Sequence, residues 1–129
     1  MVYSPESVSR RIAKLGEYGA DLNGTLPKTF AEYNSQRTVK YAVERLLLRI
    51  AETILDVLED ILSRSRERGL LLEDLYQELR GLGGFRNVLA HAYLALRDEQ
   101  VFAHARKLLR NLPQIRAELT KAAPPAGTP

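Results

Sequence analysis

The sequence contains no cysteine and only two histidines among its 129 residues. The absence of cysteine excludes a disulfide framework and a thiolate zinc site, and two histidines argue against a multi-histidine metal site within one chain. No apolar run approaches the ~18 residues that a membrane-spanning helix needs, and the N-terminus MVYSPESVSRR lacks the apolar core of a signal peptide. These absences predict a cytoplasmic protein that needs no metal ion, no cofactor and no membrane.

The sequence also shows no strand-like alternation, no internal repeat, no phosphate-cradling glycine loop and no nucleophile elbow. Its length suits one domain, which we place at residues 1–121, and the proline-rich residues 122–129 are predicted to form a disordered tail. The net charge of +3 is too small for a strong electrostatic nucleic-acid binder. The charge is uneven, because residues 1–60 have a net charge of −1 and residues 61–129 a net charge of +4. Fourteen of the 19 basic residues are arginine, which suits phosphate contacts; a GC-rich genome explains the same bias equally well.

Apolar residues at helical spacing predict helices throughout the chain. The first helix is expected to begin at residues 4–5, a Ser-Pro pair, because proline is favoured at the first helical position. It is expected to end at residues 23–24, an Asn-Gly pair. Thr29 and Glu32 then have the spacing of a capping box, which predicts one short helical piece.

Three longer helices are predicted after this piece. A long helix should run from about residue 34 to residue 68, where Gly69 stops it. An amphipathic helix over residues 70–82 follows, and the last helix is expected to take Asp98 as its N-cap. Pro113 falls inside the last helix and should kink or break it.

Two apolar stripes run side by side along the long helix. Together they cover about half of the helix circumference, which is more than one core-facing side needs. Either this helix is central in the fold, or one stripe packs against another chain. The stripes are Val39, Val43, Leu46, Ile50, Ile54, Val57 and Ile61, and beside them Leu47, Ala51, Leu55, Leu58 and Leu62.

The remaining face of the long helix has one row of charged residues: Arg45, Arg49, Glu52, Asp56 and Glu59. Their spacings of three and four stack them above one another. We favour a solvated face with intrahelical ion pairs, each contributing on the order of a few tenths of a kcal/mol. In the alternative interpretation, Glu52 and Asp56 belong to a polar wall that lines a functional site.

Residues 85–96 (FRNVLAHAYLAL) contain the most informative pattern. On an ideal helix, with about 100° per residue, five apolar residues form a core-facing wedge about 100° wide: Phe85, Val88, Leu89, Ala92 and Leu96. Arg86, Asn87, His91 and Tyr93 all point away from this wedge. The helix therefore presents polar, chemically active side chains on its outer side.

Arg86 and His91 lie about 140° apart on an ideal helix, so one straight helix does not bring both of them to the same atom. A symmetric homodimer that places two copies of this helix face to face would bring two arginines and two histidines into one cleft. The small Ala90 and the apolar Leu94 on the outer side fit such a contact.

The sequence RNVLAHAY, residues 86–93, resembles the R-x4-H-x-Y signature of the HepT-like toxins, which are small all-helical members of the HEPN superfamily. The segments GFRNVLAH and YAVERLLLRIAETILDVLEDIL also look like that family, and the resemblance covers residues 39–112. It implies an all-α, HEPN-type antiparallel helical bundle with one long central helix, assembled as a symmetric homodimer.

The resemblance also implies a function. HEPN ribonucleases cleave RNA without a metal ion, with the RNA 2′-hydroxyl as the nucleophile and a cyclic phosphate as the product. His91 would transfer the proton, Arg86 would hold the scissile phosphate, and Asn87 would orient His91 or hydrogen-bond the phosphate. HepT proteins are partnered by a minimal nucleotidyltransferase antitoxin, which adenylylates the tyrosine of the motif, here Tyr93.

Each of these residues has a simpler interpretation. Taken alone, His91 would be a structural or surface histidine, Arg86 could pair with Asp56, and Tyr93 could be an ordinary interface aromatic. Two functions of different classes therefore stay open. The first is a homodimeric, metal-independent endoribonuclease toxin of a toxin–antitoxin system; the second is a catalytically weak HEPN helical module that docks a nucleotidyltransferase. Only the first requires His91 for RNA cleavage.

Overall fold

The computed structural model describes residues 4–67 and 97–123. Within these ranges the chain is all helical and contains no strand, which confirms the predicted fold class. No helix of the described residues is long and apolar enough to cross a membrane. The helices are α1 (Pro5–Thr25), α2 (Phe30–Asn34), α3 (Arg37–Glu67) and α4 (Asp98–Ala122).

Helix α1 begins where the Ser-Pro pair predicts. The Ser4 hydroxyl accepts a hydrogen bond from the backbone N–H of Ser7 at 3.2 Å, and Pro5 occupies the first helical position. The cap satisfies one of the backbone donors that the first turn leaves without a partner, and proline has no N–H to lose at this point.

The predicted end of α1 at residues 23–24 is wrong, because the helix continues through this Asn-Gly pair to Thr25. The residue that stops it is Pro27. A proline pushes the preceding residue out of the helical region, and Leu26 is extended, with φ −72° and ψ 120°. The last helical residue is therefore Thr25, directly before the extended Leu26.

Helix α2 is the short helical piece that the capping-box spacing predicts. The Thr29 hydroxyl accepts a hydrogen bond from the Glu32 N–H at 3.3 Å. The prediction that the long helix starts near Asn34 is wrong, because Asn34 is the last residue of α2 and α3 starts three residues later. The N–H of Ser35 donates to the carbonyl of Ala31 at 3.2 Å, which closes the short helix as a separate element.

Three aromatic side chains fasten α2 to α4. The rings of Phe30, Tyr33 and Phe102 have centroids 5.3 to 6.3 Å apart, within the range in which aromatic pairs attract one another. Tyr33 is fully buried in this cluster. A five-residue helix is too short to be stable alone, so these ring contacts hold it in place.

Helix α3 is the central helix, and the members of its two apolar stripes between residues 39 and 61 are buried or half-buried within one chain. It packs against α1, α2 and α4, so the width of its apolar face needs no second chain as an explanation. The half-buried members of the stripes are Val39, Leu46 and Leu55. The buried members are Val43, Leu47, Ile50, Ala51, Ile54, Val57, Leu58 and Ile61.

Helix α1 runs antiparallel to both α3 and α4. Arg11, near the start of α1, forms a salt bridge with Asp60 near the end of α3. Arg116, near the end of α4, donates from Nε to the carbonyl oxygen of Ile12 at 3.1 Å. These two contacts fix the register of α1 against its neighbours.

Asp98 is the first residue of α4 and not its N-cap, which corrects the prediction. Its carboxylate accepts a hydrogen bond from Lys40 Nζ at 2.9 Å, and this salt bridge joins the starts of α3 and α4. The N-cap is Arg97, whose backbone N–H donates to Gln100 Oε1 at 3.2 Å. A cation on α3 offers the carboxylate a charge-assisted hydrogen bond, which is stronger than a bond to a neutral amide.

Pro113 does not break α4, so the predicted break is wrong: the helix is continuous across the proline. An interior proline removes one helical hydrogen bond and costs about 3 kcal/mol. Core packing on both sides of the proline offsets this cost. The buried residues that flank it are Leu108, Leu112, Ile115 and Leu119.

Four predictions concern parts of the chain outside the described residues. They are the stop at Gly69, the helix over residues 70–82, the polar helix over residues 85–96 and the disordered tail. Helix α4 extends to Ala122, the first residue assigned to that tail. The boundary of the single domain at residue 121 stays a prediction.

Gly19 allows α1 and α4 to approach closely, and this makes a stability prediction. A Cβ atom on Gly19 would lie 2.6 Å from Leu112 Cδ2, whereas a Cβ atom on Gly24 would meet open space. We expect Gly19→Ala to be less stable than Gly24→Ala by about 1–3 kcal/mol, the cost of overpacking a core, because both variants gain alanine's helix propensity. Urea denaturation measures the difference, and equal stability would show that α1 and α4 separate without cost.

Candidate functional site

Two of the predicted site residues, Glu52 and Asp56, lie on α3. Glu52 is half-buried, and Asp56, one turn later, is exposed. On an ideal helix both lie on the side opposite the buried Val43 and Ile61, with a rise of about 6 Å between them. They are therefore neighbours on the outer face of the central helix, as the sequence predicts.

The rest of the predicted charged row, Arg45, Arg49 and Glu59, is exposed. This agrees with a solvated face. The row is also expected to contain ion pairs. None of the salt bridges between described residues includes a residue of the row. Those salt bridges are Arg11–Asp60, Lys14–Glu17 and Lys40–Asp98.

The charge of the exposed side chains on the outer face of α3 changes sign along the helix. Its second half is acidic at Glu52, Asp56 and Glu59. Its first half is basic and contains Tyr41, whose side chain is 60% exposed, and Arg37 one turn before it. Tyr41 and Arg37 are not among the predicted site residues, although steps of four residues from Arg45 to Tyr41 and from Tyr41 to Arg37 continue the same row.

Arg86, Asn87, His91 and Tyr93 lie outside the described residues. Their convergence in one cleft, and the alternative pairing of Arg86 with Asp56, therefore stay predictions. Within residues 4–67 and 97–123, no group of three or more histidine, aspartate or glutamate side chains could hold a metal ion.

A shallow groove of about 230 Å³ lies between α1 and α4. Its lining includes Gly16 and Gly19 of α1 and Pro113 of α4. The Arg116 guanidinium packs over Gly16, and its Nε is held by the carbonyl of Ile12. We assign this groove to the close packing of the two helices, since it contains none of the predicted site residues.

The fold and the motif together define the class of protein. An all-α bundle around one long helix, with an Arg-x4-His-x-Tyr motif between α3 and α4, has the features of a HEPN protein. The chain belongs to the HepT-like ribonuclease family, because the family's sequence model, described as Ribonuclease HepT-like, matches residues 12–119. The match begins inside α1, ends inside α4 and includes residues 86–93. No curated protein matches the chain.

Proposed function

We propose that the chain is a metal-independent endoribonuclease toxin of a toxin–antitoxin system. The main support is that the motif at residues 86–93 lies inside the region that matches a ribonuclease family. The helices that precede and follow the motif, α3 and α4, share one core and are joined by the Lys40–Asp98 salt bridge. A rigid scaffold of this kind suits a site whose catalytic groups must be held in place.

The proposed reaction uses the hydroxyl group of the substrate itself. The 2′-oxygen of a ribose attacks the adjacent phosphorus, and the bond from phosphorus to the 5′-oxygen of the next nucleotide breaks. The products are a 2′,3′-cyclic phosphate and a 5′-hydroxyl, so the net proton transfer runs from the 2′-oxygen to the 5′-oxygen. A neutral His91 takes the first proton and a protonated His91 delivers the second, which a group titrating near neutral pH can do.

The other residues of the motif bind and polarise the phosphate. Arg86 donates two parallel hydrogen bonds to the scissile phosphate and stabilises the negative charge that grows in the transition state. Asn87 orients His91 or hydrogen-bonds the phosphate. Glu52 and Asp56 are the proposed wall of this site, and the half-burial of Glu52 on the outer face of α3 supports this role.

A homodimer is part of the proposal, because Arg86 and His91 diverge on a single helix. Two copies would supply two histidines to one cleft, one to take a proton and one to deliver it. We expect light scattering to give about twice the chain mass of 14.5 kDa. A monomer at micromolar concentration would contradict a site shared between two chains.

We expect RNA cleavage to continue at an unchanged rate in excess EDTA. The nucleophile and the proton carrier are both present without a metal ion, and the sequence has no cysteine and only two histidines. The assay compares an RNA oligonucleotide with the same sequence made of 2′-deoxynucleotides, which lacks the nucleophile and should stay intact. Loss of cleavage in EDTA with recovery in magnesium would contradict the proposed chemistry.

A further inference from the structure

We propose that the outer face of the first half of α3 binds single-stranded RNA, an inference that rests on the proposed function for the identity of its ligand. The surface consists of Arg37, Tyr41, Arg45 and Arg49, which we call the arginine–tyrosine row. It would hold the RNA chain while another part of the molecule cuts it.

The geometry of α3 makes these four side chains one continuous surface. Each step of four residues rises about 6 Å and turns about 40°, so the row is about 18 Å long and winds slowly around the helix. Tyr41 and Arg45 lie opposite the fully buried Val43. Arg37 and Arg49 extend the row by one turn at either end.

All four side chains are available to a ligand. Each is exposed, and Tyr41 is 60% exposed. The salt bridges, ring contacts and cation–π contacts between described residues use other side chains. The neighbouring cation Lys40 shows the contrast, because its ammonium group is bound to Asp98 at 2.9 Å.

The chemistry of the row matches a single strand of RNA. Guanidinium groups bind phosphate through paired N–H donors, and an exposed aromatic ring between them offers a surface on which an unpaired base can stack. Positive charge interleaved with an aromatic ring is the pattern of non-specific single-strand binders.

The segregation of charge along α3 sets the limit of the surface. A face that is merely solvated and stabilised by ion pairs would mix the two signs. Here the three arginines occupy the first half of the outer face, with a single carboxylate, the half-buried Glu44, at its flank. The second half, as far as residue 61, has Glu52, Asp56 and Glu59 and no basic residue. Phosphates are attracted to the first half, so the surface that holds the strand should extend as far as Arg49 and stop before Glu52, where the proposed wall of the cleavage site begins.

The test of Tyr41 uses a fluorescent, single-stranded 2′-O-methyl RNA, which lacks the nucleophilic hydroxyl and therefore reports binding without cleavage. Fluorescence anisotropy should show about tenfold weaker binding for Tyr41→Ala, within the range for loss of one stacked base. Tyr41→Phe keeps the ring and should bind within about twofold of the unchanged chain. Far-UV circular dichroism checks that both variants fold.

The test of the arginines uses the salt dependence of the same binding. Replacing Arg45 and Arg49 together with alanine should lower the slope of log Kd against log salt by about 1.4, since each phosphate contact to a single strand contributes about 0.7. The matched control replaces Arg10 and Arg110, two exposed arginines on α1 and α4, and should leave the slope unchanged.

The outcomes distinguish this inference from the proposed function. Weaker binding by the row variants, without cleavage of unmodified RNA by any form of the chain, supports the row and contradicts the nuclease. Cleavage with unchanged affinity and slope in both row variants overturns the row and leaves the nuclease standing; an acidic protein would then be the partner class that the charges fit. Failure of the unchanged chain to bind the RNA also overturns the row.

Discussion

His91→Ala and Arg86→Ala are each expected to abolish the toxicity of the chain in an expression host and to slow RNA cleavage at least about 100-fold. A positioned general acid or base contributes roughly 10²–10⁴ to a rate, and loss of a group that stabilises transition-state charge costs about 10²–10³. Growth after induction, at equal protein level, measures the first effect. Single-turnover cleavage measures the second.

The control for these variants is the second histidine of the chain, His104 on α4, which lies outside the motif. His104→Ala should keep cleavage near the unchanged rate, so a loss in His91→Ala alone would be specific. His91 and Arg86 are both predicted to lie on the outer side of their helix, so their removal should leave the thermal midpoint nearly unchanged. Wild-type cleavage by either variant would refute its assignment.

Tyr93→Phe is expected to make the chain resistant to its antitoxin. The phenol of Tyr93 is predicted to lie on the same side of the helix as Arg86, seven residues away, and so at the edge of the phosphate site. Adenylylation would place a phosphodiester and a purine there, and Arg86 would bind that phosphate as it binds substrate. Inhibition would then be steric and electrostatic, with no change of fold.

The experiment incubates the chain with the partner nucleotidyltransferase and ATP and reads intact mass and RNA cleavage together. The unchanged chain should gain one AMP group and lose activity. Tyr93→Phe keeps the ring but lacks the acceptor hydroxyl, so it should gain no AMP and retain part of its activity. A variant that is still adenylylated and silenced would place the modified residue elsewhere.

Local signals in the sequence predicted the parts of the fold that depend on neighbouring residues. The start of α1 at Pro5 and the cap at Thr29 form as expected, because a proline or a hydroxyl at a helix start acts only on the first turn of its own helix. Most described residues of the two stripes of α3 are buried, as expected of a central helix, since apolar spacing determines which sides of a helix leave water.

Two of the wrong predictions, those at Asp98 and Pro113, concern partners that are distant in the sequence, whereas the errors at the end of α1 and the start of α3 are local shifts of at most three residues. Asp98 binds Lys40, 58 residues away, in place of capping its own helix. Pro113 remains inside α4 because the core holds both of its flanks. The ring cluster that fixes α2 includes Phe102 from another helix, and no local pattern identifies such a contact before the helices are assembled.

For the candidate site too, spacing along the helix predicts some features, whereas others depend on how the helices pack. The carboxylates at Glu52 and Asp56 lie on the outer face of α3 that their spacing predicts. The four-residue spacing of Tyr41 from Arg45 places it on the same outer face, but spacing does not show whether other side chains cover its ring, as they cover the ring of Tyr33. Only the assembled bundle shows that one ring is buried among aromatics and the other faces solvent.

RNA cleavage by the purified chain with and without His91, in excess EDTA, tests the central claim most directly, because it separates a nuclease from a module that only docks a nucleotidyltransferase. The account predicts that the unchanged chain cuts unmodified RNA to products with a cyclic phosphate, and that His91→Ala, folded and at the same concentration, leaves the RNA intact. Intact RNA with both proteins, or equal cleavage by both, would contradict it.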